Sequence, residues 1–148
     1  AAEFGTPLIL MHNQETLQYN DLIPDIITSL ANSVNAALKF GVAGENIIVD
    51  PGIGFGKTPD HNLEIMRRLP ELKALGYPLL LGTSRKSTIG RVLGLPVDQR
   101  VEGTAATVTL SIAGGADIVR VHDVKEMVRV CRMSDAIVHD WRPANWRR

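Results

Sequence analysis

Asn46-Ile-Ile-Val-Asp50, continued by Pro51-Gly-Ile-Gly-Phe-Gly-Lys-Thr58 and then Pro59, is the stretch that sets the reading of this chain. Three β-branched apolar residues run into a carboxylate, a glycine-rich loop follows, and Thr-Pro opens a helical pattern as N-cap and first helical residue. The same order of strand, polar loop and helix recurs at Leu8-Ile-Leu-Met-His12, Pro78-Leu-Leu-Leu-Gly82 and Asp117-Ile-Val-Arg-Val-His122. Continuous apolar runs, rather than strict alternation, suit strands covered on both faces, and strands alternating with helices imply parallel units with right-handed crossovers. The expected class is α/β, with strands near 7–12, 46–50, 78–82 and 117–122 parallel and adjacent in sequence order.

The connecting segments carry helix signals. Ile26, Ile27, Leu30, Ala31, Val34, Ala37 and Leu38 recur at helical spacing ahead of a Gly41 stop. Leu63, Met66 and Leu69 form a stripe that Pro70 is expected to break before Gly76. A short turn is expected over 88–93 and a small-residue helix from Val101 to Ile112. The last helix opens at Asp123, where Glu126 three residues on suggests a capping box. No linker divides the chain, so residues 1–148 are expected to form a single domain, with 141–148 an irregular tail.

Composition narrows the function. The chain has 148 residues, with sixteen basic and sixteen acidic side chains and 45% hydrophobic residues. It has no global field to draw it to nucleic acid or an anionic membrane. Residues 1–74 carry five Lys/Arg and nine Asp/Glu, and residues 75–148 carry eleven and seven, so an anionic ligand favours the second half. No apolar run approaches the ~20 residues that span a bilayer. With no basic leader over residues 1–12 and a single cysteine, Cys131, a cytoplasmic setting is expected. Cys131 itself reads as a small buried apolar residue.

Functional groups of α/β folds gather where strands end. Those positions read Met11-His12-Asn13, Asp50 to Thr58, Gly82-Thr-Ser-Arg-Lys-Ser87 and Arg120-Val-His-Asp123. A phosphate-loop reading of Gly56-Lys57-Thr58 fails because proline stands at position 51 where that pattern needs glycine. The glycines instead suit a tight turn that leaves the Asp50 carboxylate facing a ligand, although a plain cap is the alternative. Ser87, with Lys86 beside it at a helix start, suits an anion; a solvated basic loop is the alternative. Arg120 and His122 alternate on a strand and so share one side of the sheet, suited to an anion or to an internal ion pair with Asp50 or Asp123.

Taken together, Asp50-Pro-Gly-Ile-Gly-Phe-Gly-Lys57, Gly82-Thr-Ser-Arg-Lys-Ser87 and Arg120-Val-His-Asp-Val124 resemble the dihydropteroate synthase family of pterin-binding (β/α)₈ TIM barrels, from Pro7 to about Ala136. The resemblance implies an alkyl-group transferase of folate biosynthesis, a sulfonamide target. Such an enzyme condenses hydroxymethyl-dihydropterin diphosphate with para-aminobenzoate to give dihydropteroate and diphosphate, with Mg²⁺ assisting.

Residue by residue, the resemblance gives Met11, Asp50, Phe55, Gly82 and Lys86 to the pterin, and Arg120 and His122 to the diphosphate. Phe55, Lys86 and Ser87 fall to the aminobenzoate, with Lys86, Arg120 and His122 the catalytic set. A closed barrel takes about 250 residues, so these units resemble its second half, strands five to eight. The family's metal-binding strand, which holds the Mg²⁺ ligand, matches nothing here. The fragment alone is then expected to be inactive or nearly so, and to form a homodimer or pair with the other half. Two alternatives remain open at this point: a pterin-binding methyltransferase domain, and a non-catalytic half-barrel assembly module.

Overall fold

Strand β1 (Leu8–Met11) pairs in parallel with β2 (Ile47–Asp50), in a register that sets Leu8 opposite Ile47 and Met11 opposite Asp50. Strands β3 (Leu80–Leu81) and β4 (Ile118–Val119) form a second parallel pair. A parallel bridge from Val49 to Leu79, with Val49 N–H donating to the Pro78 carbonyl at 2.9 Å, joins the two pairs. The order is therefore β1-β2-β3-β4, all parallel, as the sequence predicts. This arrangement comes from a computed structural model, which describes residues 1–146; residues 147 and 148 of the expected tail lie outside the described residues.

β3 and β4 are shorter than their apolar runs, for a local reason. Pro78 has no N–H to give to a ladder. The Leu79 N–H is taken by the Asp117 carboxylate at 2.8 Å, so a side chain stands where a strand carbonyl would be.

Among the described residues five α-helices alternate with and follow the strands: α1 (Leu22–Lys39), α2 (Pro59–Arg67), α3 (Ser87–Leu93), α4 (Val101–Ala113) and α5 (Val124–Val138). The α2 start follows its sequence signal: the Thr58 hydroxyl accepts from His61 N–H at 3.1 Å and His61 Nδ1 accepts from Thr58 N–H at 3.3 Å. Pro70 ends the α-helical path as expected, and the chain continues as a 3₁₀ segment, Leu69–Leu75, closed by left-handed Gly76. The start of α5 corrects the sequence reading. Asp123 makes no side-chain cap there; its carboxylate takes both donors of the Arg85 fork instead. A charge-assisted bidentate pair outweighs a single cap bond.

Period-two alternation then sorts the strand side chains. Leu8, Leu10, Ile47, Val49, Leu79 and Leu81 turn toward α1 and α2 and join the larger apolar cluster with Ile23, Ile26, Leu30 and Ile65. A smaller cluster of Val108, Ile112 and Met127 ties α4 to α5. Ile9, Met11, Ile48, Asp50, Leu80, Gly82, Ile118 and Arg120 share the opposite face. That face is partly bare, with Ile9 51% and Met11 40% exposed.

Candidate active site at the C-terminal strand ends

The expected site residues come from four loops and share one edge of the sheet. Met11 and Asp50 are register partners. Gly82 lies against Arg120, where a Cβ at Gly82 would meet Arg120 Cβ at 3.9 Å. Gly82, Lys86, Ser87, Arg120 and His122 line one open depression of about 520 Å³. Asp50 and Arg120 therefore face the same way, although 70 residues separate them.

Asp50, the last residue of β2, is 9% exposed, and one of its carboxylate oxygens accepts from Gly52 N–H at 2.7 Å. Burial raises its pKa, while that hydrogen bond and the charges of Lys86, Lys57 and Arg120 pull the other way. A carboxylate surrounded by three cations, with one oxygen engaged, is suited to paired N–H donors of a heterocycle.

The loop after β2 must pass beneath the end of β1. His12 N–H donates to the Asp50 carbonyl at 2.9 Å, and Gly52, with φ +72°, runs so close that a Cβ would overlap the His12 carbonyl oxygen. Only glycine meets both demands. The loop then presents Phe55, 40% exposed, with Lys86 Nζ 4.2 Å from its ring centroid. Lys86 has its pKa lowered by burial, opposed by Asp50 and reinforced by Arg120. Ser87 is the first residue of α3 and lies exposed beside it.

Arg85, just before Lys86, adopts a left-handed φ of +57°. Four contacts hold it there. Its N–H donates to Thr104 Oγ1 at 3.1 Å, its carbonyl accepts from Arg100 at 3.0 Å, and its guanidinium grips Asp123 with two donors. Asp123 therefore belongs to Arg85, and the internal ion pair between Arg120 and Asp123 is not formed. His122 is anchored separately: Ser84 Oγ accepts from its backbone N–H at 3.1 Å and lies 3.0 Å from its Nδ1.

Sequence reasoning missed the supports. Asn62, 2% exposed, accepts from Gly54 N–H at 2.8 Å and donates to Thr88 Oγ1 at 3.0 Å, joining the Phe55 loop to α3. Its signal was a polar residue beside the apolar stripe of α2. Lys57 is buried and bonded to His12 Nδ1 at 2.8 Å, a pairing that no spacing in the sequence announces. Among the described residues no group of three or more His, Cys, Asp or Glu could hold a metal ion. Nor is any helix of the described residues long and apolar enough to cross a membrane.

Comparison with known proteins agrees with this arrangement. The chain is 54% identical over 139 residues to a dihydropteroate synthase of Bacillus subtilis, which covers 94% of this chain and 49% of that protein. A Clostridium beijerinckii dihydropteroate synthase is 53% identical over 139 residues, covering 93% and 52%. Among solved structures, Clostridium difficile dihydropteroate synthase, crystallised in the presence of pteroic acid, superposes with a TM-score of 0.90 at 49% identity. The match covers 92% of this chain and 52% of that one. The Yersinia pestis enzyme, solved with a sulfonamide drug, gives 0.91 at 37% identity, covering 95% and 54%. The chain spans about half the length of the relatives it matches. Residues 1–122 match the family of pterin binding enzymes, and the chain belongs to that family.

Proposed function

We propose that these residues are the second half, strands five to eight, of a dihydropteroate synthase barrel. In this reading residues 1–148 act as one unit, with 141–146 an irregular extension. The convergence of Asp50, Lys86 and Arg120 on one face, in a chain about half identical to dihydropteroate synthases, is the observation that carries it.

In this reading the Asp50 carboxylate accepts from the amino-pyrimidine edge of hydroxymethyl-dihydropterin diphosphate. Lys86 lies along the pterin ring, and Met11, Phe55 and Gly82 wall the slot. Arg120 and His122 hold the diphosphate, since a guanidinium fork and an imidazole suit phosphate oxygens. Ser87, with Phe55 and Lys86, receives the aminobenzoate. The aminobenzoate nitrogen bonds to the pterin methylene as its C–O bond to diphosphate breaks, and the amine then loses a proton. These side chains orient the partners and stabilise the departing charge.

In this reading Mg²⁺ and its protein ligand belong to the half of the barrel that these residues do not match. The exposed strand face around Ile9, Met11 and Ile118 supports pairing with that other half or with a second copy as a homodimer. The setting we assign is the cytoplasm, and the chain alone turns over at best in trace amounts.

Calorimetric titration with 6-hydroxymethylpterin, which lacks the diphosphate, tests the assignment. Asp50→Ala is expected to weaken binding by about tenfold or more, and Arg120→Ala to leave it nearly intact. Equal losses from both substitutions would refute the division of labour.

A further inference from the structure

Lys57 is 9% exposed, and among the described residues it forms no ion pair. Its ammonium donates to two neutral acceptors, His12 Nδ1 at 2.8 Å and the Phe55 carbonyl at 2.9 Å. A buried lysine without a bonded carboxylate is costly to keep, so the position of its bonds is informative. One end reaches His12, 4% exposed and directly after β1; the other holds the carbonyl of the residue whose ring lies under Lys86. Tyr19 adds a parallel tie, its hydroxyl donating to the Gly56 carbonyl at 2.8 Å while its ring packs 6.0 Å from His12.

We propose that Lys57 is a positioning residue for the pterin pocket: bridging His12 and the Phe55 carbonyl, it holds the 52–56 loop so that Phe55 stands under Lys86. The inference rests on the reading of this site as a pterin pocket. The neutral state of His12, whose pKa is held down to about 4 by burial and by Lys57, supports the direction of the bond, with lysine as donor and imidazole as acceptor. The bridge stands apart from the diphosphate grip, whose Arg120 and His122 follow β4 and whose His122 is held by Ser84. Its loss should therefore divide the two ligands rather than weaken both.

Three variants, Lys57→Met, His12→Leu and His12→Asn, test this with two readouts. The first is amide hydrogen exchange without ligand. Lys57→Met and His12→Leu are expected to speed exchange at 52–56 and leave 120–122 unchanged, and His12→Asn, which keeps an acceptor near the Nδ1 position, to restore protection. The second is binding. Lys57→Met is expected to weaken 6-hydroxymethylpterin about tenfold while inorganic diphosphate changes by less than about twofold.

Unchanged exchange at 52–56, or equal weakening of both ligands, overturns the proposal. If Lys57→Met does not fold, His12→Leu, which leaves the lysine in place, carries the same test. Failure of the wild-type protein to bind 6-hydroxymethylpterin would overturn the pocket assignment instead, and loosened exchange at 52–56 would then still mark Lys57 as the anchor of the loop.

Discussion

Lys86 Nζ stands 4.2 Å from the centroid of the Phe55 ring, and Gly54 lies so near that a Cβ there would sit 3.4 Å from the same nitrogen. The two side chains come from loops after different strands. Their meeting depends on backbone supports in both loops, and these supports are open to test.

Gly52→Ala is expected to be among the most damaging single substitutions. The new methyl would overlap the His12 carbonyl oxygen at a φ of +72°, and backbone on both sides leaves nothing soft to yield. A loss of at least about 3 kcal/mol is expected. Urea unfolding measures it; a loss below about 1 kcal/mol would mean that the loop has another route past β1.

Asn62→Ala removes an acceptor from Gly54 N–H and a donor from Thr88. The buried Thr88 hydroxyl and the partly buried Gly54 N–H each lose a partner, at roughly 1–3 kcal/mol together. Asn62→Asp keeps the acceptor but not the donor and should lie between alanine and wild type. Equal stability of the alanine variant and the wild type in a denaturant titration would contradict the link.

Arg100 donates to the carbonyls of Leu95 and Arg85 at 3.0 Å each, and to that of Lys86 at 3.4 Å, while lying across Gly90. Arg100→Ala should therefore release the left-handed turn at Arg85, costing about 1.5–3 kcal/mol and loosening Lys86. Gly90→Ala, whose methyl would displace the guanidinium, should reproduce the effect with the arginine still present. Hydrogen exchange over 85–87 reports it, and unaltered protection in both variants would count against this role.

His12 gives a pH signature of known sign. Folding holds its pKa down from 6.5 to about 4, through burial first and the neighbouring Lys57 second. As pH falls through 6.5 the unfolded chain takes up a proton that the folded chain refuses until about 4. Stability should therefore drop across that window, by on the order of 2–3 kcal/mol. The raised pKa of Asp50 acts with the opposite sign, so the informative quantity is wild type minus His12→Asn. Thermal midpoints that run parallel for the two proteins between pH 7 and 4.5 would refute the assignment.

Much of the architecture was legible in residue order, because its causes are local. Apolar runs at Leu8, Asn46, Pro78 and Asp117 ended in polar or glycine-rich loops, and Thr58-Pro59 and Gly76 marked real helix boundaries. Arg120 and His122 both line the depression beside Lys86, but they lie past the end of β4 with Val121 between them on the same lining, so strand alternation does not account for their placement. The Asp123 capping box failed as a reading because the competitor for that carboxylate, Arg85, lies 38 residues away.

The same distance explains what residue order did not reveal. Which anion takes the Arg85 fork, which backbone atoms Arg100 and Asn62 satisfy, and which acceptor shares a buried ammonium with the Phe55 carbonyl are settled between segments brought together only by folding. Lys57 and His12 lie 45 positions apart. Periodicity and capping act over one or two turns of chain, and so they mark out strands, helices and loop chemistry. Hydrogen-bond partners in a buried site depend instead on which loops the packing of α1 to α4 against β1 to β4 leaves within 3 Å of one another.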